Sequence, residues 1–238
     1  MRGRGGAARV PAASVGSGAA AIVRSLAGLT PEVSGDVALD GIAFPLGSIM
    51  QRVKRNVTFV SEDRAGEGIF RRNVLENLVA VRLPEYTRLG MLSWAKLRSL
   101  GRELCRRVGI DPTRLETRAF GLSGGNQQKI LLARALGKKT PGVILINEPT
   151  RGVDVGARAE IYRLLREFCT LGYVILMTSS DLEEVVGIAD TVVTMYRGKT
   201  VARYERARIS MSAVLADIVH PSGRQSVGSV SAEQPISN

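Results

Sequence analysis

The segment Leu122 to Lys129, which reads Leu-Ser-Gly-Gly-Asn-Gln-Gln-Lys, has the residue types of a phosphate-binding helix start. Glycines let the backbone approach a ligand closely, and the free N–H groups and dipole of a helix N-terminus favour an anion. The Ser123 hydroxyl would add one donor. Taken alone, Ser-Gly-Gly also fits an ordinary loop that caps a helix, so the chemical interpretation needs support from other segments.

A carboxylate follows the most apolar short run of the chain. Val143 to Ile146 is continuously apolar, as in a strand covered on both faces, and Asn147-Glu148-Pro149-Thr150 comes directly after it. Ligands of parallel α/β sheets bind at the carboxyl ends of strands, where Glu148 could polarise a water that attacks a phosphate. A strand-terminal acid can equally be structural, so Glu148 is a candidate base.

Strands and helices alternate around these two segments, which predicts an α/β fold with a parallel sheet. Short apolar runs predict strands at 36–40, 56–60, 143–146, 174–177 and 192–196. Helical spacing predicts helices from about 124 to 137, 157 to 171 and 181 to 187.

A helical stretch interrupts this alternation over residues 74–118. Ser93 is a good N-cap, and Gly109 is a good C-terminal stop. Between them the apolar positions that recur at helical spacing are Trp94, Leu97, Leu100, Leu104 and Val108. We therefore predict an α/β core over 13–72 and 119–219, a small helical subdomain over 73–118, and disordered tails at 1–12 and 220–238.

Composition narrows the class of protein. The formal net charge of +11 suits nucleic acid, an anionic membrane surface, or an arginine-rich protein that handles phosphates. We favour the last, because only 5% of residues are aromatic and the basic residues are not interleaved with stacking platforms. No apolar run approaches the ~18–20 residues of a membrane span, so a transport role would be peripheral. Cys105 and Cys169 have no metal-binding spacing and fit reduced thiols, with a mutual disulfide as the weaker alternative.

Together these segments resemble the ABC ATPase family, and within it the second cassette of fused sugar-import ATPases of the ribose, galactose and xylose type. The resemblance is carried by the signature at 122–129 and by the run Glu148 to Ala157. It extends to the Val60–Arg64 loop, to Val74–Leu78 and to Ser179–Leu182, and spans roughly residues 15–219.

The resemblance implies a composite ATP site. In that family two cassettes pack head to tail, and each ATP lies between the phosphate loop of one and the signature of the other. The nucleotide-binding residues it implies for the signature are Ser123, Gly124, Gly125 and Gln127. It places Asp154 at the cassette interface and Glu62 where the family has a glutamine that senses nucleotide and couples to the membrane subunit.

The resemblance also implies the ligands, the partners and the location of the protein. We expect ATP and Mg²⁺ as ligands, held mainly by the partner cassette. The expected partners are a second cassette, a transmembrane permease and, indirectly, a sugar-binding protein, with no nucleic acid. The expected location is peripheral, on the cytoplasmic face of the plasma membrane.

The phosphate loop departs from the working pattern of Gly, four residues, Gly, Lys and a hydroxyl residue. Gly16, Ser17 and Gly18 remain as nucleotide-binding candidates, but Ala19 stands at the lysine position and Ala20 at the hydroxyl position. The same residues also fit a flexible Gly-Ala tail. The preceding strand is interrupted by Pro11, and about two further strands and a stacking aromatic of the family are missing ahead of it.

Two further positions are degenerate. Asn147 stands where the family has an aspartate that supports Mg²⁺, and Ser180 stands at the histidine that contacts the γ-phosphate. The sequence therefore favours a cassette that donates its signature to a partner's ATP. The alternatives are a self-sufficient weak ATPase that uses Glu148, a basic nucleic-acid-binding module built on the helix Trp94–Arg107, and a non-functional fragment.

Overall fold

Apolar runs form the centre of the sheet, because both faces of its inner strands are covered. The computed structural model describes residues 8–13, 18–30, 35–39, 42–43, 49–136 and 140–219. The strands of its main sheet are β1 (Ala8–Ala13), β4 (Val57–Val60), β7 (Val143–Asn147), β8 (Val174–Thr178), β9 (Thr191–Tyr196) and β10 (Lys199–Glu205). Their order is β10-β9-β1-β8-β7-β4, and all neighbours are parallel except β9 and β10. The predicted parallel α/β core is confirmed.

Two short antiparallel pairs lie outside this sheet. They are β2 (Ala38–Leu39) with β3 (Ile42–Ala43), and β5 (Thr87–Arg88) with β6 (Met91–Leu92). Leu89 and Gly90 join β5 to β6 with positive φ angles of 49° and 79°, as a tight hairpin turn requires. Of the strand predicted at 36–40, the structure has Ala38–Leu39, and residues 40–41 lie outside the described residues.

The helices alternate with the strands. They are α1 (Ala19–Ala27), α2 (Ile49–Lys54), α3 (Val74–Val79), α4 (Trp94–Val108), α5 (Gly124–Ala133), α6 (Val155–Thr170), α7 (Leu182–Ile188) and α8 (Met211–Val219). A π-helix spans Arg64–Gly68. Four 3₁₀ segments cover Ala80–Tyr86, Pro112–Glu116, Ala119–Gly121 and Arg206–Arg208. None of these described helices combines the length and hydropathy that crossing a bilayer requires.

A buried arginine joins the helical stretch 73–118 to the core. Arg134, which follows α5, donates to the Asn77 carbonyl and to Asn77 Oδ1, both at 2.8 Å, and to the Gly68 carbonyl at 2.7 Å. Burial lowers the pKa of Arg134 to about 10. Buried residues of α3 and α4 belong to the same hydrophobic cluster as those of α5 and β7, so one continuous core serves both parts.

The N-terminal boundary needs correction. Residues 1–12 are predicted to be a disordered tail, but β1 begins at Ala8 and runs through Pro11. It pairs with β9 from Arg9 to Ala13, whereas its register with β8 ends at Arg9. Pro11 is therefore paired on one side only, as at an edge strand, which is where sheets accept a proline. Residues 1–7 and 220–238 lie outside the described part of the chain.

Candidate functional site

Two parallel strands deliver polar side chains to one edge of the sheet. Strand β7 ends at Asn147 and is followed by Glu148, and β8 ends at Thr178 and is followed by Ser179 and Ser180. Carboxyl ends of parallel strands meet at the same edge, which is where ligands of this sheet type bind. The structure therefore brings together Glu148 and the two positions predicted to be degenerate, 147 and 180.

Glu148 is held at this edge by the neighbouring strand. Its backbone has a φ of 48°, and its N–H donates to the Thr178 carbonyl at 2.8 Å. Its two carboxylate oxygens accept from the Ser180 N–H at 2.8 Å and from the Ser180 hydroxyl at 3.0 Å. Burial raises the pKa of Glu148, and the two bonds from Ser180 oppose that rise. The carboxylate is thus partly desolvated, and each of its oxygens accepts one hydrogen bond from Ser180.

Asn147 offers a neutral amide where a metal would need a charged ligand. Its side chain is buried, and its Oδ1 accepts a hydrogen bond from the Thr178 hydroxyl at 3.0 Å. Ala20, in the first turn of α1, carries no hydroxyl. Among the described residues no group of three histidine, cysteine, aspartate or glutamate side chains is arranged to hold a metal ion. Asn147 and Ala20 are therefore weaker partners for Mg²⁺ than an aspartate and a hydroxyl residue would be, because Mg²⁺ prefers charged oxygens.

A second carboxylate braces the same edge, and the sequence analysis missed it. Glu184 of α7 is 2% exposed and accepts from the hydroxyls of Ser179 and of Thr150, the latter at 3.0 Å. Burial raises the pKa of Glu184, and the hydroxyl bonds oppose the rise. It ties α7 to the turn that follows Glu148. Its position inside a helical pattern gave no sign of this role.

The signature segment forms the start of α5, where Ser123 is exposed and Gly125 is buried. Ser123 is the N-cap, and its Oγ accepts from the Asn126 N–H at 3.4 Å. A Cβ at Gly124 would lie 2.7 Å from the Gly152 carbonyl oxygen, and one at Gly125 would lie 2.5 Å from Ala157 Cβ. Both glycines are therefore needed for close packing against the segment after Glu148.

Three other predicted site residues also make contacts within the chain. Gln127 donates to the Leu122 carbonyl at 3.0 Å and so stabilises the loop before the signature. Asp154 is the N-cap of α6, and its Oδ1 accepts from the Ala157 N–H at 2.9 Å. Glu62 pairs with Arg151 at 2.6 Å.

Helix α1 begins after a glycine, and its first turn carries no charged side chain. Gly18 is the N-cap with a φ of 92°, and a Cβ there would lie 3.2 Å from Gly198 Cα. Ala19 is buried and Ala20 is exposed. Gly16 and Ser17 lie outside the described residues. The first turn of α1 thus provides no lysine and no hydroxyl at the two predicted degenerate positions.

Comparison with known proteins decides the family. A family model described as ABC transporter matches residues 14–151, a range that holds both the signature and Glu148. This chain belongs to the ABC transporter ATP-binding family. The cassette is 37% identical, over 202 residues, to a putative ribose/galactose/methyl galactoside import ATP-binding protein of Pseudomonas fluorescens. It is 39% identical, over 186 residues, to the ribose import ATP-binding protein RbsA 2 of Rhizobium meliloti.

These matches cover the cassette more fully than they cover its relatives. They include 84% and 78% of this chain, but 39% and 36% of the two relatives. The fold is shared with solved cassettes. A nucleotide-free ATP-binding cassette from an ABC transporter superposes with a TM-score of 0.74 at 18% identity, covering 92% of this chain and 88% of the other. A bacterial cassette solved as a dimer gives 0.70 at 21%, covering 87% and 88%.

Proposed function

We propose that this cassette completes an ATP site whose phosphate loop belongs to a second cassette, within an importer of the sugar type. Ser123, Gly124 and Gly125 would contact the γ-phosphate of that ATP. Asp154 would lie at the interface of the two cassettes. ATP and its Mg²⁺ would be held mainly by the partner.

One contrast between two helix starts carries this proposal. Helix α5 begins at a Ser-Gly-Gly whose serine is exposed, while its glycines pack against Gly152 and Ala157 and Gly125 is buried. Helix α1 begins with three alanines, Ala19 to Ala21, and has no cation or hydroxyl in its first turn. This contrast supports a cassette that would serve a partner's nucleotide better than it would hold one of its own.

The missing contacts are large enough to matter. A hydrogen bond to a charged group contributes about 1.5–3 kcal/mol, and the alanines at 19 and 20 remove the lysine and hydroxyl contacts. Asn147 adds a third weakened contact, because a neutral amide replaces an aspartate. The three changes together would weaken binding of Mg-ATP by this chain alone by orders of magnitude.

The sugar assignment and the membrane partner rest on the relatives. Two of them are described as import ATP-binding proteins for ribose or for ribose, galactose and methyl galactoside. By analogy, the cassette would act on the cytoplasmic face of the plasma membrane, with a transmembrane permease and, indirectly, a sugar-binding protein.

A cationic side chain introduced at Ser123 of the signature tests the proposed function. Ser123→Arg should abolish ATP hydrolysis by the importer assembly that copurifies with this chain from its native cells, because the long cation blocks the γ-phosphate position. Ser99→Arg, at an exposed position on α4, is the matched control and should leave hydrolysis unchanged. Full hydrolysis by the Ser123→Arg assembly would refute the proposal.

A self-sufficient weak ATPase is the second candidate, because Glu148 occupies the strand-end position suited to a general base. Each of its carboxylate oxygens accepts one hydrogen bond from Ser180, which leaves a second lone pair on each oxygen for a water or a proton. Phosphate release by the purified chain that disappears in Glu148→Gln would support this candidate over the first.

A further inference from the structure

The loop after β4, residues 61–68, connects two distant parts of the cassette. Near its C-terminal end, Glu67 accepts two hydrogen bonds from Arg24 of α1, at 2.8 and 2.9 Å. Near its start, Arg64 donates from Nη1 to the Arg151 carbonyl at 2.6 Å and from Nη2 to the Gly152 carbonyl at 3.3 Å. The loop therefore links α1 to the turn that follows Glu148.

Gly152 lies between Arg64 of this loop and Gly124 of the signature. A Cβ added to Gly124 would lie 2.7 Å from the Gly152 carbonyl oxygen and 3.4 Å from Arg64 Nη2. A Cβ added to Gly152, whose φ is 65°, would lie 3.0 Å from the same Nη2. The guanidinium, the Gly152 peptide and the first residue of α5 thus share a space that admits no extra side chain. A shift of the Gly152 carbonyl toward α5 would therefore press on Gly124.

Arginine suits this position because two nitrogens of its planar guanidinium can each donate to one of two successive carbonyls. Lysine has a single nitrogen and cannot match this geometry. Burial lowers the pKa of Arg64, so the desolvated guanidinium depends on those carbonyls for hydrogen bonds. The ion pair between Glu62 and Arg151 joins the same two segments. Its side chains are 37% and 68% exposed, and water screens such a pair, so Arg64 is the stronger tie.

We propose that Arg64 is a positioning residue for the signature. By holding the Arg151 and Gly152 carbonyls against Gly124, it fixes the orientation in which Ser123 and Gly124 meet a partner's ATP. It acts through Gly152 and contacts no nucleotide itself. The inference rests on the proposed function for its effect on turnover, whereas its effect on the local structure can be measured in this chain alone.

The first experiment is amide hydrogen exchange on the purified chain with Arg64→Ala and Arg64→Lys. The probes are the Val153 N–H, bonded to the Thr150 carbonyl at 3.1 Å, and the Gln127 N–H, bonded to the Ser123 carbonyl at 2.9 Å. We expect both to exchange roughly tenfold faster in Arg64→Ala, with a smaller increase in Arg64→Lys. The amides of β7 should keep their rates, which separates a local release from general destabilisation.

The matched control is Arg71→Ala. Arg71 is exposed, and it has no hydrogen bond or ion pair with any residue that the structure describes. Its removal should leave both probe amides unchanged. Unchanged exchange of Val153 and Gln127 in Arg64→Ala would overturn the proposal, whatever the ATPase result.

The second experiment separates turnover from binding in the copurified assembly. Arg64→Ala should lower kcat roughly tenfold while binding of a fluorescent ATP analogue changes little, because the partner's phosphate loop still holds the nucleotide. Arg64→Lys should recover part of kcat. Weaker analogue binding with kcat unchanged would contradict a positioning role.

Ser123→Arg distinguishes the two proposals. If Ser123→Arg abolishes hydrolysis while Arg64→Ala keeps the wild-type kcat, the positioning role is wrong and the proposed function stands. If Ser123→Arg leaves hydrolysis intact, the proposed function is wrong, and only the exchange result then bears on Arg64.

Discussion

Ser180 engages both carboxylate oxygens of Glu148, one through its backbone N–H at 2.8 Å and one through its hydroxyl at 3.0 Å. The two residues lie at the ends of the adjacent strands β7 and β8, so the sheet itself sets their separation. The backbone bond would survive any substitution at 180 that keeps the chain in place. The hydroxyl bond belongs to serine and can be removed by itself.

Removal of that hydroxyl should raise the pKa of Glu148 further. Burial already raises it, and the Ser180 hydroxyl is the largest of the contacts that lower it. We expect Ser180→Ala to shift the Glu148 carboxyl titration to higher pH, as followed by ¹³C NMR of the side-chain carboxyl. Ser99→Ala should not move it. An unchanged Glu148 titration in Ser180→Ala would show that the hydroxyl bond does not form in solution.

The close contact between Gly125 and Ala157 predicts opposite effects for one substitution in two helices. Gly125→Ala should destabilise the fold, because overpacking costs about 1–3 kcal/mol and exceeds the gain of up to about 1 kcal/mol in helix propensity. Gly187→Ala in α7 meets no atom within 4 Å and should stabilise by about 0.5–1 kcal/mol. Urea unfolding measures both changes.

A double mutant tests whether the methyl of Ala157 is the cause. Ala157→Gly removes the only atom within 3 Å of the new Cβ, so Gly125→Ala combined with Ala157→Gly should recover much of the lost stability. If the loss of stability in the double mutant equals the sum of the two single-mutant losses, the Ala157 methyl is not the cause of the Gly125→Ala effect.

The sequence predicted the parts of the fold that local pattern encodes. The runs Val143–Ile146 and Val174–Met177 are continuously apolar because their strands lie inside the sheet, and the helix Trp94–Val108 carries its own cap residues. Strand β1 was missed because proline argues against a strand unless the register of its neighbours is known. Strand β10 and helix α8 were missed because few of their residues are buried, so their apolar positions give weak periodicity.

The sequence predicted which segments form the site, but it did not predict the contacts between them. The signature, Glu148 and Ser180 stand out by residue type at the ends of predicted elements. The bonds from Arg64 to the Arg151 and Gly152 carbonyls join residues 87 and 88 positions apart, and Glu184 looks like an ordinary helix residue. Such partners are fixed by the order of strands in the sheet, which hydrophobic pattern alone does not give.

The buried Arg134 predicts a large loss of stability on removal of its charge. Arg134→Met keeps most of the volume but removes the three hydrogen bonds that Arg134 donates, to the Gly68 carbonyl and to both oxygens of Asn77. The Asn77 side-chain oxygen keeps its bond from the Phe70 N–H, whereas a buried acceptor left unpaired costs about 1–3 kcal/mol. Arg102→Met, at an exposed position on α4, should change stability by no more than about 0.5 kcal/mol. Equal urea midpoints for the two variants would contradict the role of Arg134 as the tie between α3 and the core.

The ion pair between Glu67 and Arg24 predicts an acid-dependent loss of stability. The Arg24 guanidinium and then the Ser61 hydroxyl lower the pKa of Glu67 from 4.5 to about 2. Because the folded-state value is depressed, this contribution is complete above pH 4.5 and is lost as the pH falls toward 2. We expect Glu67→Gln to reduce the decline in unfolding free energy between about pH 6 and about pH 3. The effect should shrink in high salt, since both side chains are more than a third exposed. Glu103→Gln, at an exposed position on α4, should leave the decline unchanged, and an identical decline in Glu67→Gln would show that the pair contributes nothing to acid stability.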